Sequence, residues 1–285
     1  MLCRRVIMPK PPNHILIFTD LDGTLLDHHN YSAKPADRLI EQLHDQGTAD
    51  IIPVTSKTQS ELLWLRKSIP LQNILSVTEN GSVIHACGSS PLGDGDRARS
   101  ILLGIRYCAI LEQVAKLPQS LRNHITGFAD MSVEQVMAAT GLVTDDARRA
   151  QDREATEPFL WSGSDTELSA LRDILIEENI QVQRGGRFYH LTGQATKEHA
   201  MAKIISAFVE RKPDFQIISI ALGDGPNDLA MIEAADFGVI MPNPDGVTIE
   251  TAKPHVRTAP GPGPEGWVIA VQAILAELGF NLPES

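Results

Sequence analysis

The sequence predicts an α/β fold: a doubly wound, Rossmann-like parallel sheet with an α+β cap domain inserted into it. Two observations lead to this prediction. Near both ends of the chain, short apolar segments alternate with segments whose apolar residues recur at helical spacing. Between these regions the composition and the apolar pattern change, beginning with a linker-like segment rich in Gly, Ser, Asp and Arg at 88–99. We therefore expect one core domain interrupted by a second domain.

The first half of the core is predicted from a strand, helix, strand, helix, strand pattern. Its segments are, in order, 15–18, 35–46, 51–54, 60–68 and 74–77. Gly47 is expected to end the first helix. Helices that connect successive strands imply that the strands are parallel, with helices on both faces of the sheet.

The alternation returns near residue 195, after a long gap. The segments there are a helix, a strand, a helix and a strand, at 198–210, 217–222, 228–235 and 237–240. The gap mixes amphipathic helices with short strands, at 132–140, 166–178, 180–183 and 187–191. The predicted organisation is an N-terminal extension over 1–14, a discontinuous core over 15–89 and 192–285, and an α+β cap over 90–191.

The composition excludes several classes of protein. The 285 residues carry a formal net charge of −11, whereas nucleic-acid binders normally present a basic surface. No segment approaches the ~18 consecutive apolar residues of a membrane helix. Cys3, Cys87 and Cys108 lack disulfide or zinc spacing, as expected for reduced thiols in the cytoplasm. We expect a cytoplasmic protein with no nucleic-acid or membrane partner and no obligate protein partner.

Two carboxylates follow the first predicted strand. Asp20 and Asp22 are two residues apart, so both side chains can point to one side of an extended chain. Two like charges there are costly unless a cation neutralises them, and a divalent metal that prefers oxygen ligands would do so. Gly23 would let the backbone approach a ligand closely. The alternative is an ordinary Asp-Gly turn after a strand.

Hydroxyl groups and a cation follow the second predicted strand. Thr55, Ser56 and Lys57 lie at the edge of the sheet where α/β folds bind ligands, and they suit an anionic oxygen. The alternative is that Thr55 or Thr58 only caps the next helix.

Two further sites lie in the second half of the core. Asp224 and Asp228, in the Gly-rich loop at 223–228, offer another carboxylate to the same metal, with an N-capped turn as the alternative. Lys197 stands at a helix start, where a cation opposes the helix dipole, so its position suggests an external anion. An exposed surface lysine is the alternative there.

Together these segments resemble the four motifs of the haloacid-dehalogenase-like phosphatases. D-L-D-G-T at 20–24, the strand ending in Thr55, Lys197 and G-D-G-P-N-D at 223–228 occur in the family's order and separation. The long insertion is similar to that of the Cof-type sugar phosphatases, and within that branch the chain is most similar to the mannosyl-3-phosphoglycerate phosphatase group. The segments that carry this likeness are V-T-S-K-T at 54–58, E-N-G at 79–81, R-E-A-T-E-P-F-L-W at 153–161, G-G-R-F-Y-H at 185–190 and G-P-E-G-W at 263–267.

The chain departs from the resembled family beside the lysine. Relatives commonly have Asp-Lys-Gly where this chain has Thr196, Lys197 and Glu198. The lysine is kept, one carboxylate is lost, and a new carboxylate follows the lysine directly.

The resemblance implies a Mg²⁺-dependent phosphomonoester hydrolase that forms an aspartyl-phosphate. Asp20 would be the nucleophile, and Asp22 the general acid and base. Mg²⁺ would be held by Asp20, Asp224 and the backbone carbonyl of Asp22. Thr55 and Lys197 would hold the equatorial phosphoryl oxygens.

The resemblance also assigns outer roles. Asn227 and Asp228 would orient the metal's water ligands and Lys197. Specificity would reside in the cap, where Arg153, Arg187 and His190 would meet a carboxylate and sugar hydroxyls. The alternative for these arginines is pairing with the cap's own acids, such as Glu154 and Glu157. The further substrate-binding candidates are Ser56, Lys57 and Asn80.

Three functions follow, in decreasing order of support. The first is hydrolysis of mannosyl-3-phosphoglycerate or a close glycosyl-phosphoglycerate, so the partner would be a small anionic phosphorylated sugar. The second is a broader Cof-type sugar-phosphate phosphatase. The third is a non-catalytic sugar-phosphate sensor, which would not need a nucleophile with an adjacent acid.

Overall fold

A computed structural model describes residues 14–47, 49–71, 75–95, 97–185, 187–244, 246 and 248–280. The N-terminal extension predicted over 1–14 therefore lies outside the described residues except for His14, as does Cys3. Among the described helices, none is long and apolar enough to cross a membrane.

The described residues form twelve strands and ten α-helices. The strands are β1 (His14–Thr19), β2 (Ala49–Pro53), β3 (Leu75–Thr78), β4 (Val83–Ala86), β5 (Arg99–Leu102), β6 (Ile125–Gly127), β7 (Thr156–Trp161), β8 (Gln181–Gly185), β9 (Phe188–Thr192), β10 (Ile217–Gly223), β11 (Phe237–Ile240) and β12 (Val256–Thr258). The α-helices are α1 (Ala36–Gln46), α2 (Gln59–Leu65), α3 (Tyr107–Lys116), α4 (Gln119–Arg122), α5 (Val133–Thr140), α6 (Thr144–Gln151), α7 (Asp165–Ile176), α8 (Lys197–Arg211), α9 (Leu229–Ala234) and α10 (Glu265–Glu277).

The chain divides into two compact units. The first unit comprises the described residues of Met1–Pro53, Ile69–Gln72 and Met201–Ser285, and the second those of Val54–Ser68 and Asn73–Ala200. The predicted cap, 90–191, falls within the second unit, which also takes in residues on either side of it.

The first unit is built on a parallel sheet with the strand order β12-β11-β10-β1-β2. Ile15 to Phe18 of β1, which lies between β10 and β2, are fully buried, as expected for a strand covered on both faces. Helix α1 ends at Gly47, which adopts a left-handed φ of 64° as a C-cap. The predicted fold class, a Rossmann-like parallel sheet with helices, is confirmed.

The third predicted strand of this sheet pairs differently from the prediction. β3 forms an antiparallel pair with β4, and its only parallel pairing among the described residues is one bridge between Val54 and Val77. The physical reason is the short connection from β3 to β4, because a parallel pair needs a crossover of a dozen or more residues.

The second unit contains two antiparallel sheets, with the orders β3-β4-β5 and β6-β7-β9-β8. One apolar cluster packs α3 and α7 against the larger sheet around Phe159 and Leu171. A smaller cluster around Phe128 and Val136 joins α5 and α6. Strands β4 and β5, which flank the linker-like segment, were not predicted.

Candidate active site

Three buried carboxylates meet at the carboxyl edge of the parallel sheet. Asp20 follows β1, and Asp224 and Asp228 follow β10, whose register sets Thr19 beside Leu222. One carboxylate oxygen from each aspartate lies within 4.8 Å of the other two, and the side chains are only 8%, 8% and 1% exposed. Three like charges so close and so buried are unfavourable unless a cation neutralises them.

The backbone at Gly23 leaves room for the Asp224 carboxylate. Gly23 has φ +73°, and a Cβ there would come within 2.5 Å of Oδ2 of Asp224. Both the positive φ and the close approach require glycine. Because this donor set consists of carboxylate oxygens, it fits Mg²⁺, a hard cation with oxygen ligands.

Asn243 also contacts this cluster, although it was not among the predicted site residues. Its Nδ2 donates a hydrogen bond of 2.7 Å to Oδ2 of Asp224. Asn243 follows β11, the next strand of the sheet, so a search for polar residues after every strand end would have found it.

The carboxylate of Asp228 binds backbone N–H groups of its own loop, which follows β10. Oδ2 of Asp228 accepts hydrogen bonds from the backbone N–H groups of Asp224 (3.2 Å) and Gly225 (2.9 Å). Asn227 lies beside Gly225, where an added Cβ would come within 2.6 Å of its Oδ1. Asn227 and Asp228 therefore shape the loop that carries Asp224.

The C-terminal helix supports the end of β1. Nε1 of Trp267 donates a hydrogen bond of 3.1 Å to Oγ1 of Thr19, and this hydroxyl donates to the carbonyl of Asp20 over 2.8 Å. The turn that carries Asp22 is closed by hydrogen bonds from Thr24 and Leu26 to the carbonyl of Leu21. Asp20 and Asp22 thus sit on a braced segment.

In the second unit, Thr55 and Thr58 have different roles. The buried Thr55 accepts a hydrogen bond of 3.2 Å on Oγ1 from the Lys57 N–H. Thr58 is the N-cap of α2 in a capping box with Glu61, as the alternative for this segment proposed. Its hydroxyl also donates to the carbonyl of Arg149 over 2.8 Å. Because Thr58 caps α2, the Thr55 hydroxyl is not needed as the helix cap.

The turn after β3 contacts two of the predicted motif segments, the one at Thr55 and the one at Lys197. Asn80 donates its backbone N–H to the carbonyl of Thr55 over 2.9 Å. A Cβ on Gly81 would lie 2.6 Å from the Lys197 nitrogen, so the backbones touch here. Lys197 itself is 1% exposed, which excludes the alternative of an exposed surface lysine. Thr196, at which this chain differs from the resembled family, accepts a hydrogen bond from the N–H of His199 on Oγ1 and so caps α8.

The arginines of the predicted cap behave differently from one another. The Arg153 side chain is 5% exposed, its Nη2 donates to the carbonyl of Ser56 over 3.3 Å, and its Nε lies 3.9 Å from Oε2 of Glu79. Arg187 is exposed and donates to the carbonyl of Thr140. Glu79 is therefore the carboxylate within ion-pair distance of Arg153.

Burial and the Arg153 charge lower the pKa of His190 to about 4, so the imidazole is neutral at pH 7. Burial raises the pKa of Glu157, which accepts hydrogen bonds from the Tyr107 hydroxyl (2.7 Å) and the Ala129 N–H (2.9 Å). Burial and Glu157 raise the pKa of Tyr107. Arg153 thus carries its charge next to a neutral imidazole.

The predicted site residues form two sets, one in each unit. In the first unit the set is Asp20, Asp22, Asp224, Asn227 and Asp228. In the second unit, hydrogen bonds and close backbone contacts connect Thr55 and the turn after β3 with the other predicted residues. These are Ser56, Lys57, Asn80, Arg153 and Lys197. His190 interacts electrostatically with Arg153, whereas the described hydrogen bond of Arg187 leads to α5.

Comparison with known proteins decides the family. The haloacid dehalogenase-like hydrolases match residues 17–92 and 144–259. The chain belongs to the haloacid dehalogenase-like hydrolases. A relative from Persephonella marina, a glucosyl-3-phosphoglycerate/mannosyl-3-phosphoglycerate phosphatase, is 31% identical over 268 residues, which cover 93% of this chain and 98% of the relative. The predicted resemblance and the predicted enzyme class, a phosphatase of this superfamily, are confirmed.

Solved structures share the fold of this haloacid dehalogenase-like phosphatase. A phosphatase of the haloalkanoate superfamily from Bacteroides thetaiotaomicron has a TM-score of 0.65 at 16% identity, covering 96% of this chain and 98% of that chain. The sucrose-phosphatase of Synechocystis, solved with sucrose and phosphate, has a TM-score of 0.58 at 18% identity, covering 93% and 99%. At these identities the likeness concerns the fold alone.

Proposed function

We propose that this haloacid dehalogenase-like phosphatase is a cytoplasmic, Mg²⁺-dependent enzyme that hydrolyses mannosyl-3-phosphoglycerate, or a close glycosyl-phosphoglycerate, to the glycosylglycerate and phosphate. The buried cluster of Asp20, Asp224 and Asp228 carries the proposal, because such a cluster calls for a cation beside a potential nucleophile. The substrate class is supported by the relative from Persephonella marina.

The metal would be held by carboxylate oxygens of Asp20 and Asp224 and by the backbone carbonyl of Asp22. When bound, Mg²⁺ supplies positive charge between the nucleophile and the phosphoryl oxygens. The Asp228 carboxylate, which accepts two loop N–H groups, and Asn227 would orient water ligands and Lys197 from outside.

Asp20 attacks phosphorus in line in the first half-reaction. The bond from its Oδ atom to phosphorus forms while the bond to the leaving oxygen breaks, and Asp22 gives its proton to that oxygen. In the second half-reaction Asp22 takes a proton from water as the water attacks the aspartyl-phosphate. Phosphate leaves and the Asp20 carboxylate is restored. Thr19 and Trp267 brace the backbone of the nucleophile throughout.

The equatorial oxygens of the phosphoryl group need donors, because their charge is stabilised mainly by positioned hydrogen bonds and cations. Thr55 and Lys197 take this role, with Ser56, Lys57 and Asn80 on the same loops as further contacts. The burial of Lys197 at the start of α8 supports this role, because the ammonium is shielded from bulk water.

Recognition of the glycerate carboxylate is assigned to Arg153. Its guanidinium is buried, and its Nη1 is without a hydrogen-bond partner among the described residues. The neutral His190 beside it can exchange hydrogen bonds with sugar hydroxyls. Arg187, which is exposed, is the second arginine available to the substrate.

A phosphate-release screen tests the proposal. The purified chain with Mg²⁺ is given mannosyl- and glucosyl-3-phosphoglycerate, 3-phosphoglycerate, hexose phosphates and p-nitrophenyl phosphate. We expect the highest kcat/KM on a glycosyl-phosphoglycerate and loss of activity in excess chelator. Equal rates on simple hexose phosphates would instead support the broader sugar-phosphate phosphatase. Release from aryl phosphates alone would overturn the substrate, and binding without release would support the sensor.

A further inference from the structure

Glu79 is a fully buried acid with a complete set of hydrogen bonds. Its Oε1 accepts the N–H of Glu154 over 2.7 Å, and its Oε2 accepts the N–H of Ala155 (3.1 Å) and the hydroxyl of Thr156 (2.7 Å). A buried carboxylate is costly unless such donors satisfy it. The side chain therefore binds the start of β7 to the turn after β3.

The three donors follow directly after Arg153, so the carboxylate fixes the backbone that carries this arginine. Its Oε2 also lies 3.9 Å from Nε of Arg153, while Ser56 accepts a hydrogen bond from Nη2 at the other end of the guanidinium. Nη1 is buried and has no hydrogen-bond partner within the described ranges. Arg153 is thus held from two sides with donor capacity left for an anion.

The backbone under Glu79 is itself held in an unusual conformation. Glu79 and Asn80 have φ values of +50° and +58°, which non-glycine residues rarely adopt. Their N–H groups donate to the carbonyls of Lys57 (3.0 Å) and Thr55 (2.9 Å). Backbone in this region persists only where the surroundings fix it, and such positions concentrate at functional sites.

We propose that Glu79 is a positioning residue that sets the Arg153 guanidinium in place to bind the carboxylate of the substrate. This inference rests on the proposed function, which gives the substrate a carboxylate. Glu79 acts through the backbone of 154–156 and through the guanidinium, so its effect is confined to ligands that Arg153 binds. It therefore contributes to selection of carboxylate-bearing phosphate esters over neutral ones.

Steady-state kinetics of Glu79→Gln test the proposal with two substrates. The KM for mannosyl-3-phosphoglycerate should rise about tenfold, as expected for a weakened charged hydrogen bond. The KM for p-nitrophenyl phosphate, which has no carboxylate, should stay within about twofold. Glu167→Gln is the matched control, because Glu167 also accepts a backbone N–H and a hydroxyl, both from Ser164, at the exposed start of α7. This control should change neither KM.

A double-mutant cycle separates positioning from general support of the fold. Arg153→Ala should raise the KM for mannosyl-3-phosphoglycerate, and adding Glu79→Gln to it should change that KM by less than about twofold, because coupled residues are not additive. Fully additive effects, or an equal KM increase for p-nitrophenyl phosphate, would overturn the proposal. If Glu79→Gln does not fold, Thr156→Val removes one donor to Oε2 and should show the same substrate pattern with a smaller increase, about threefold.

Calorimetric titration with 3-phosphoglycerate distinguishes this proposal from the proposed function. If the unchanged chain hydrolyses no glycosyl-phosphoglycerate, but Glu79→Gln and Arg153→Ala both weaken 3-phosphoglycerate binding, the function fails and the role of Glu79 stands. If hydrolysis is found and Glu79→Gln binds 3-phosphoglycerate as the unchanged chain does, the role of Glu79 fails and the function stands. Absence of any binding to the unchanged chain would overturn the role of Glu79 as well.

Discussion

Asn243 holds the Asp224 carboxylate through a hydrogen bond of 2.7 Å between Nδ2 and Oδ2. The two residues follow adjacent strands of the parallel sheet, β11 and β10. An amide donor fixed on one carboxylate oxygen sets the rotation of the group and leaves the other oxygen to a metal. Partners of this kind behind a ligand tune metal affinity.

Asn243→Ala should therefore lower the apparent affinity for Mg²⁺ about tenfold, while saturating Mg²⁺ restores most of the activity. Phosphate release measured against Mg²⁺ concentration checks this. Asn30→Ala is the matched control in the same unit, because Asn30 accepts the Ser32 N–H in an exposed loop. An unchanged Mg²⁺ dependence in Asn243→Ala would remove this residue from the site.

Gly23→Ala should weaken Mg²⁺ binding by at least about tenfold, because the new Cβ would lie 2.5 Å from Oδ2 of Asp224 and displace it. Gly47→Ala is the matched control: its φ of +64° carries a similar backbone cost, but nothing lies within 4 Å of the new Cβ. Both variants should lose about 1 kcal/mol of stability. Thermal unfolding and Mg²⁺ titration measure the two effects separately, and equal Mg²⁺ affinities in the two variants would contradict the steric explanation.

Asp20→Asn should reduce kcat by at least about 10³-fold, because an amide oxygen is a poor nucleophile and no aspartyl-phosphate can form. Asp27→Asn is the control in the following loop, where Oδ1 accepts the N–H groups of His29 and Asn30. Its kcat should stay within about twofold. Full activity in Asp20→Asn would exclude the proposed mechanism.

Acid should destabilise the chain through buried histidines. Burial and the Arg66 charge lower the pKa of His85 to about 4, so the unfolded state binds a proton at a higher pH than the folded state does. Above pH 6.5 His85 is neutral in both states and does not reduce the free energy of unfolding. As the pH falls from 6.5 to about 4, protonation of His85 in the unfolded state lowers the free energy of unfolding. Between pH 7 and pH 4.5 His85 accounts for about 2.5 kcal/mol of lost unfolding free energy.

Urea unfolding at several pH values measures this effect. His85→Gln cannot titrate and should make the loss of unfolding free energy in acid smaller by the contribution of His85, whereas His44→Gln, at an exposed site on α1, should leave that loss unchanged. A slope in His85→Gln equal to that of the unchanged chain would show that His85 is not responsible.

The first unit was largely predictable because its strands are continuous apolar runs and its helices carry regular apolar spacing. The positions of Asp20, Thr55 and Asp224 at strand ends were predictable, because charged and hydroxyl residues follow those apolar runs. The pairing of β3 could not be predicted, since the spacing of apolar residues does not indicate which strand lies next to it. In that case the short connection to β4 decided the pairing.

Burial and long-range pairing account for the remaining differences. A lysine at a helix start has the same sequence whether it is exposed or, like Lys197, buried. The partners of Glu79 and Asn243 lie 75 and 19 positions away, so their hydrogen bonds could not be predicted from the local sequence. The role of Thr58 was readable, because the Thr-x-x-Glu capping box is a local signal.

The position of β1 between β2 and β10 bears on the order of events during synthesis. β1 and its neighbour β2 are translated well before its other neighbour, β10, and the Trp267 brace. All of the second unit precedes residue 201, so it can fold while the first unit still lacks three of the five strands of its sheet. On the ribosome, the apolar β1 therefore has no neighbour on its β10 side until residues 217–223 are translated, and this is the interval in which we expect chaperones to bind the nascent chain.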